Sequence, residues 1–340
     1  MYMVKWVEGP AVDEDVVVST RIRVARNLRN YKFPQRMSIQ EAEALTNEIL
    51  NVMKKLPSGV NYKFYKINSL TPVERVSYIE EHLISPGLIN RPDYSSFLLK
   101  DNESATIMIN EEDHLRIQVL YPGLNFEKAW ESINEIDNFL ESNLDYAYHD
   151  EFGYLTACPT NVGTGIRASA MVHIPALSII GQVNGLINGF QKIGLTVRGL
   201  YGEGTKAFGD LYQISNQMTL GEEEEEIIRR LKGVIYQTIS KERDVRENLL
   251  SKRRYEIEDR VFRSYGLLKY SRKISSKEAM QHLSNVRMGI AMGIINDVKF
   301  KDIEKIMIGI QPGSIQKYAN RELNDNERDI LRAKYIRERL

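Results

Sequence analysis

The part of the chain that follows Gly221 contains a single proline, Pro312, in a sequence where charged residues recur at helical spacing. Proline inside a helix removes a backbone hydrogen bond and collides with the preceding turn, so its scarcity favours uninterrupted helices. The pattern predicts an all-helical C-terminal region with a boundary near Leu250. We therefore expect one domain over residues 1–250 and a helical domain over residues 251–340.

Short strands and helices alternate before that boundary. Ile39 to Met53 have the apolar spacing of a helix, with Ser38 and Glu41 as a capping box. Ala105 to Ile109 and Leu115 to Leu120 have the composition of strands and flank a polar turn. This mixture predicts an α+β domain ahead of the helical one.

Composition narrows the function classes. The 340 residues include 46 basic and 46 acidic side chains, and the zero net charge argues against binding to nucleic acid or an anionic membrane. Cys158 is the only cysteine, which excludes an intramolecular disulfide and a multi-cysteine zinc site and leaves a nucleophile or a buried small residue as interpretations. No two of the five histidines have metal-ligand spacing in one segment, so no metal site is predicted. The N-terminus lacks a signal-peptide core and no stretch reads as a transmembrane helix, so we expect a cytoplasmic protein.

Ser19 to Arg26 form a basic cluster, STRIRVAR. If this segment is extended, Arg21 and Arg23 lie on one face, because side chains alternate along a strand. Two guanidinium groups on one face can clamp a phosphate. A solvated edge strand is the alternative interpretation.

Asn110 to Arg116, NEEDHLR, place three carboxylates in succession, on Glu111, Glu112 and Asp113. Such a turn can bind a metal, hold a cation or supply a general base. A charged surface turn is the alternative interpretation.

Cys158 to Ser169, CPTNVGTGIRAS, form a glycine-rich segment. Glycines let the backbone approach a ligand closely, and N–H groups ahead of a helix start attract anions. Gly163 to Ala168 match the dinucleotide fingerprint G-x-G-x-x-A, but that motif needs an acidic residue about 20 positions later, and none occurs between Gly153 and Gly202. Arg167 and Arg198, which lie in this acid-free stretch, favour an anionic ligand instead.

Val197 to Thr205, VRGLYGEGT, superficially resemble a P-loop. The pattern G-x-x-x-x-G-K-[ST] fails, because Thr205 occupies the position of the lysine. A glycine-rich loop that carries Arg198 and Glu203 could close over a ligand, and a flexible loop without a ligand is the alternative.

Taken together, the clusters combine arginines with carboxylates. The arginines suit a triphosphate, whose transfer depends mainly on positioning and charge stabilisation. The carboxylates suit a cationic acceptor such as a guanidinium, whose pKa above 12 keeps its nitrogens protonated until a carboxylate accepts a proton. The arginines are Arg21, Arg23, Arg116, Arg167 and Arg198, and the carboxylates are those of Glu111, Glu112 and Glu203.

Five strings in order resemble the phosphagen (ATP:guanidino) kinase family, which includes creatine and arginine kinases. They are STRIR, NEEDHLR, CPTNVGTGIRAS, RGLYGEGT and YQISN, and they lie between Ser19 and Asn216. The resemblance implies a large antiparallel sheet flanked by helices, of the glutamine-synthetase-like type. It also implies in-line transfer of the ATP γ-phosphoryl to a guanidinium nitrogen, with Mg²⁺ bridging the phosphates.

The same resemblance implies roles for individual residues. Glu112 matches the family's general base, Glu203 a second substrate carboxylate, and Cys158 a cysteine that contacts the guanidinium without bonding to it. We assign Glu111 to the substrate as well. Creatine kinases have Asp at the position of Gln213, where protein-arginine kinases have Gln. The implied nucleotide-binding residues are Ser19, Thr20, Arg21, Ile22, Arg23, His82, Arg116, Arg167, Ala168, Ser169, Ala170, Met171, Arg198, Gly199, Leu200, Tyr201 and Gly202.

Two features resemble the bacterial protein-arginine kinases rather than the kinases of small guanidino compounds. STRIR begins at residue 19, which leaves no room for the N-terminal helical domain of the small-substrate enzymes. RDILRA, from Arg328 to Ala333, matches the RDxxRA motif of a phosphoarginine-binding regulatory site. Arg328 and Arg332 would share a helix face there, and Asp329 could pair with the guanidinium. An ordinary charged helix is the alternative for this string alone.

This closer resemblance implies ATP and Mg²⁺ as cofactors and protein substrates with exposed arginines. It also implies an activator, McsA, a Clp protease that reads phosphoarginine marks, a heat-shock repressor as a target, and a homodimer through the C-terminal helices. Two other functions stay open. One is a kinase of free arginine or another small guanidino compound, and the other is a catalytically silent adaptor that binds phosphoarginine.

Overall fold

The computed structural model describes residues 4–57, 60–199 and 207–340. Within these ranges the strands are β1 Val17–Arg26, β2 Tyr62–Lys66, β3 Ser96–Lys100, β4 Ala105–Ile109, β5 Leu115–Pro122, β6 Tyr148–His149, β7 Gly153–Tyr154, β8 Ile166–His173, β9 Leu195–Gly199 and β10 Leu211–Asn216. The α-helices are α1 Ile39–Met53, α2 Pro72–Glu80, α3 Phe126–Glu141, α4 Pro175–Ile179, α5 Val183–Gln191, α6 Glu224–Tyr270, α7 Ser276–Ala291, α8 Phe300–Gly309, α9 Pro312–Ala319 and α10 Asp325–Arg337.

Eight of these strands form one antiparallel sheet in the order β2-β3-β4-β5-β1-β8-β10-β9, while β6 and β7 form a separate hairpin. Helices flank the sheet, and the part of the chain after residue 221 is helical, as the sequence predicts. The antiparallel sheet that the family resemblance implies is therefore confirmed. None of the helices in the described ranges combines the length and apolar character needed to cross a bilayer.

Local signals in the sequence place several elements correctly. Helix α1 begins after Ser38, whose hydroxyl accepts from the Glu41 N–H while the Glu41 carboxylate accepts from the Ser38 N–H. Helix α10 begins in the same way after Asn324. The sequence from Thr71 to Leu83 predicts a helix over that range, but α2 ends at Glu80, three residues earlier. The residues that follow turn back sharply, with His82 in the left-handed region at a φ of 63°.

One face of the sheet is apolar and closes the main core. Residues on alternate positions of the central strands are fully buried there, among them Ile22, Ile117, Ala168 and Ile214. They pack against α1, α3, α5 and the first turns of α6. Because strand side chains alternate, every second residue of the same strands faces the other way, toward the site described below.

The chain enters its C-terminal region inside one helix. Helix α6 has 47 residues and is bent at Arg253, whose φ of −138° and ψ of 36° are not helical. A second core, built by α6 to α10, lies against the sheet end of β8 and β10. The division at residue 250 stays a prediction, and the bend lies three residues after it.

Buried ion pairs and hydrogen bonds of two arginines connect the C-terminal helices to the sheet domain. Arg287 of α7 is fully buried and bonds to the Glu304 carboxylate at 3.1 Å and to the backbone oxygens of Glu14 and Asp15. Arg246 of α6 also reaches Asp15, at 3.1 Å. Burial raises the pKa of Glu304 to about 7, against the opposing effect of Arg287.

Candidate active site

Arginines from neighbouring strands share the open face of the sheet. Arg21 and Arg23 of β1 point to the same side, as the period of two predicts, and Arg23 lies directly across from Arg167 of β8. Arg116 of β5 pairs with Ala25 of β1 and so lies on this side too. Directly opposed residues of adjacent strands project from the same face, so the sheet register itself gathers the arginines.

The arginines are held close together in spite of their like charge. Burial, together with the charges of Arg116 and Arg167, lowers the pKa of Arg21 to about 10. Burial and the charges of Arg21, Arg116 and Arg167 lower the pKa of Arg23 well below its usual value. The buried Nε of Arg23 has no hydrogen-bond partner among the described residues. An array of guanidinium groups that repel each other, one of them with a buried donor that is unsatisfied, suits a polyanion such as a triphosphate.

The next two strands extend this face. Gln213 of β10 lies opposite Met171 on one side and Arg198 on the other, and its Oε1 accepts a hydrogen bond from Arg21 Nη2 at 2.7 Å. An amide oxygen at this position orients the guanidinium without neutralising it. An aspartate, as in creatine kinases, would add a negative charge to the face.

The three carboxylates of the NEEDHLR turn have three different environments. Glu111 is directed to the arginine face, where it pairs with Arg116 at 2.5 Å and accepts from Ser85 Oγ at 2.6 Å. A side chain at Gly87 would collide with this carboxylate. Glu111 is thus engaged by the protein itself.

Glu112 is exposed, and its carboxylate has no hydrogen bond or ion pair with a described residue. Its backbone oxygen is held by the side-chain amide of Gln35 at 2.8 Å. A carboxylate on a fixed backbone, with its oxygens uncommitted, can accept hydrogen bonds from a cation that enters the cleft. Of the three acids it is the one available as a base.

Asp113 is buried and connects two segments of the site. Its Oδ1 accepts from the Ala157 N–H and from Asn27 Nδ2, both at 2.7 Å. Burial raises its pKa, while these hydrogen bonds oppose the shift. The sequence pattern gave Asp113 no role of its own, because its partner is 44 residues away along the chain.

Cys158 follows Ala157 and is brought to the same cleft as Glu112. The thiol is half-buried, and its Sγ lies 3.0 Å from Thr160 Oγ1. The structure therefore does not place Cys158 in an apolar core. The cleft is lined by Arg23, Val24, Ala25, Glu111, Glu112, Asp113, Arg116, Cys158, Thr160, Asn161, Gly165 and Arg167.

The glycine-rich segment has a different local structure from the one that the sequence predicts. Gly163 and Gly165 have positive φ values of 108° and 65° and lead directly into strand β8, not into a helix. The prediction that N–H groups at a helix start bind the anion here is wrong, because β8 begins at Ile166. The rejection of a dinucleotide fold is confirmed, since that motif requires a helix at this point.

His82 lies beside the arginine face. Burial and the nearby charge of Arg21 lower the pKa of His82 to about 3, so the imidazole is neutral. Gln118, on the same face of β5, donates to the His82 backbone oxygen at 2.8 Å. Glu80, the last residue of α2, lies two positions before His82 and accepts from the N–H groups of Gly313 and Ser314 at the start of α9.

The remaining nucleotide-binding predictions divide by the face of the sheet. Ser19, Ser169 and Met171 lie on the arginine face, with Ser169 Oγ donating to the Arg21 oxygen at 3.3 Å. Arg198 is exposed on β9, which ends at Gly199. The other four, Thr20, Ile22, Ala168 and Ala170, have side chains in the interior. Glu203, Leu200, Tyr201 and Gly202 lie outside the described residues.

The RDILRA string lies on α10, where its members differ. Arg332 is buried and bonds to the backbone oxygens of Ile310 and Ile274 and to Asp329, at 2.8, 3.0 and 2.5 Å. Ala333 is fully buried in the C-terminal core. Arg328 is partly exposed and pairs with Asp325.

Known proteins share both the sequence and the fold. The family described as ATP:guanido phosphotransferase, C-terminal catalytic domain, matches residues 44–245. The chain belongs to the ATP:guanido phosphotransferase family. A second family, described as protein-arginine kinase McsB C-terminal domain, matches residues 254–340. Glu112, Arg116, Cys158 and Arg167 lie within the range that matches the ATP:guanido phosphotransferase family, whereas Arg21 and Arg23 precede that range.

Relatives within the family cover nearly the whole chain. A protein-arginine kinase of Halothermothrix orenii is 48% identical over 98% of this chain and 96% of its own. A protein-arginine kinase of Clostridium novyi is 45% identical over 99% and 98%. Among solved structures, lombricine kinase is similar with a TM-score of 0.62 and 26% identity over 71% of this chain and 70% of its own.

Proposed function

We propose that this protein is an ATP-dependent kinase that phosphorylates arginine side chains in proteins. The observation that carries the proposal is the cleft that the uncommitted carboxylate of Glu112 and the thiol of Cys158 line together with Arg23, Arg116 and Arg167. One side of this cleft suits a triphosphate and the other suits a guanidinium. Full-length similarity to protein-arginine kinases supports the choice of acceptor.

In the proposed reaction, a guanidinium nitrogen attacks the γ-phosphorus of ATP. A nitrogen–phosphorus bond forms, the bond from the γ-phosphorus to the bridging oxygen breaks, and ADP leaves. Glu112 accepts the proton that the nitrogen gives up, and Cys158 with Glu203 orients the guanidinium plane. The arginine face holds the phosphates in line and stabilises their charge.

Mg²⁺ fits this site as a part of Mg-ATP. Among the described residues, no group of three or more His, Cys, Asp or Glu side chains could form a cage for a metal ion. Mg²⁺ commonly binds through substrate phosphates and water, with one or two carboxylates. Glu111, on the arginine face, is the carboxylate that we propose near such an ion, and the ion would neutralise phosphate charge.

Similarity over the C-terminal region favours protein arginine over a free guanidino compound as the acceptor. The C-terminal domain of protein-arginine kinases matches here, whereas lombricine kinase resembles this chain over 71% of its length. The carboxylate, thiol and arginines of the cleft are all in place, which disfavours the silent adaptor. A kinase of small guanidino compounds is the second candidate.

The same proposal includes a cellular context. We propose a cytoplasmic protein that acts with the activator McsA, forms a homodimer through its C-terminal helices, and marks proteins for a Clp protease. A heat-shock repressor is a further proposed substrate. Phosphorylation replaces a cation by an anionic group on the target arginine, and this reversal of charge can be read as a mark.

The test combines purified protein and Mg-ATP with either casein or free arginine. Acid-labile phosphate is located by mass spectrometry that preserves phosphoramidates. Phosphate on casein arginines and not on free arginine supports the proposal. Phosphate mainly on free arginine points to the second candidate, and none on either acceptor, with McsA added, overturns both.

A further inference from the structure

The chain between Ala207 and Leu211 rests on one face of helix α7. Phe208 lies under Lys277, whose Nζ is 5.4 Å from the ring centre. Gly209 comes so close to the helix that a Cβ there would lie 2.9 Å from the Met280 oxygen. We call residues 207–210 the stem, because in the sequence they join the segment that carries Glu203 to strand β10.

Asp210 forms the polar part of this contact. Its Oδ2 accepts from Ser284 Oγ at 2.9 Å, and its backbone oxygen accepts from the Ile174 N–H at 3.1 Å. Ser284 follows Met280 by four residues and Lys277 by seven, so all three contacts come from one face of α7. Asp210 itself has a φ of 54°, in the left-handed region.

Two further hydrogen bonds, from Arg287 to His173 and from His173 to Ser284, orient the Ser284 hydroxyl. Arg287 can only donate, so His173 Nδ1, 3.1 Å away, is the acceptor. The proton of His173 is then on Nε2, which donates to Ser284 Oγ at 2.9 Å. The Ser284 hydroxyl hydrogen is thereby left for Asp210. Ser284, His173 and Arg287 are all fully buried, so water does not compete for these bonds.

The stem leads straight into the arginine face. Leu211 begins β10 opposite His173, and two residues later Gln213 accepts from Arg21 at 2.7 Å. A shift of Asp210 would therefore be passed along β10 to Gln213 and to its hydrogen bond with Arg21.

We propose that Ser284 is a positioning residue for phosphoryl transfer and that α7, through the stem, sets the geometry of the active site. This inference rests on the proposed function, since it takes the arginine face as the site that holds the phosphoryl group in line for transfer. The C-terminal region is then a working part of the kinase in addition to any regulatory or assembly role. Positioning acts steeply on rate, because displacements of about 1 Å can cost on the order of a hundredfold.

The test compares Ser284→Ala with Ser264→Ala. Ser264 is a matched control, because it is a buried serine of α6. Its hydroxyl bonds to His282 and Asn285 of α7 and not to the stem. We expect Ser284→Ala to lower kcat at least about tenfold with KM for Mg-ATP nearly unchanged. We expect Ser264→Ala to keep both values. A Ser284→Ala protein with the wild-type kcat overturns the inference, as does an equal loss of kcat in both variants.

Two further measurements distinguish a positioning role of Ser284 from a loss of folding in the variant. They also distinguish it from the choice of an acceptor that the protein does not use. Asp210→Asn keeps an oxygen that can accept from Ser284 and should retain most activity, whereas Asp210→Ala should behave like Ser284→Ala. Hydrogen exchange of the peptide 207–216, measured without any acceptor, should quicken in Ser284→Ala and not in Ser264→Ala. If wild-type protein transfers phosphate to no acceptor, the proposed function fails, and unchanged exchange in this peptide then overturns the positioning inference independently.

Discussion

The Asp113 carboxylate accepts a hydrogen bond from the Ala157 N–H at 2.7 Å and thereby joins two distant segments of the active site. Asp113 follows Glu112 and Ala157 precedes Cys158, so this bond fixes the proposed base relative to the thiol. Asn27 Nδ2 donates to the same carboxylate oxygen, and this bond connects the residue that follows β1 to the same junction. The relative placement of acid and thiol is thus determined by a buried carboxylate oxygen that is bonded to the protein itself.

Asp113→Ala should lower both stability and turnover. It leaves the part-buried Ala157 N–H without its acceptor and takes one of two acceptors from the Asn27 amide, which still donates to the Leu155 oxygen, at about 1–3 kcal/mol for each hydrogen bond lost. Urea unfolding and kcat on the protein substrate check this. Asp113→Asn is the control, because its Oδ1 can still accept from Ala157. A folded Asp113→Ala protein with the wild-type kcat would show that this hydrogen-bonded junction does not contribute to catalysis.

Glu112→Gln should reduce phosphoryl transfer by about a hundredfold or more, because the amide cannot accept the proton. Binding of an ATP analogue should be largely unchanged, since Glu112 does not touch the arginine face. Glu111→Gln is the comparison, and it should weaken nucleotide binding because its ion pair with Arg116 is lost. Retained transfer in Glu112→Gln would rule it out as the base.

Arg23→Gln should make the protein without nucleotide more stable and its nucleotide binding weaker. The charge of Arg23 is disfavoured in the folded state by burial and by Arg21, Arg116 and Arg167. Thermal unfolding with and without Mg-ATP measures both effects. At high ATP concentration, each tenfold loss of affinity for Mg-ATP removes about 1.4 kcal/mol of the stabilisation that the bound nucleotide gives to the folded protein. Arg229→Gln, at an exposed position of α6, is the control and should change neither quantity.

Arg332→Ala and Arg328→Ala should have different effects. Arg332 satisfies the Ile310 and Ile274 backbone oxygens in the interior, so its removal should destabilise the protein by about 2–4 kcal/mol. Arg328 is partly exposed, and its removal, like that of Asp329, should weaken activation by phosphoarginine. Urea unfolding and activity with added phosphoarginine separate the two. An unchanged phosphoarginine response in both Arg328→Ala and Asp329→Ala would argue against a regulatory site.

Glu304 should make stability depend on pH. Its pKa is raised from 4.5 to about 7 by burial, with Arg287 opposing and Glu14 adding to the shift. The folded state therefore binds more protons between these values, and the stabilisation from Glu304 is present below pH 4.5 and lost as pH rises through 7. The difference in unfolding free energy between wild type and Glu304→Gln should fall by up to about 3 kcal/mol over this window. Urea unfolding at pH 5, 6, 7 and 8 tests it, and a constant difference contradicts the assignment.

Much of the fold could be predicted because its signals are local. The capping box at Ser38, the alternation of Arg21 and Arg23, and the scarcity of proline after Gly221 each act within a few residues. The end of α2 was missed, since His82 takes a left-handed conformation that a helical apolar pattern does not report.

The sequence by itself determined the chemistry that this protein carries, namely arginines for phosphate, carboxylates and a thiol for a guanidinium, and a separate helical region. Only the tertiary structure decided which partners each of the three adjacent acids has. Glu111 pairs with Arg116, Asp113 accepts from Ala157, and the Glu112 carboxylate has no partner in the described part of the chain. Three adjacent acids look alike in sequence because their roles depend on partners that β-sheet register and distant loops bring to them, and burial then fixes those partners by making an unpaired polar group costly.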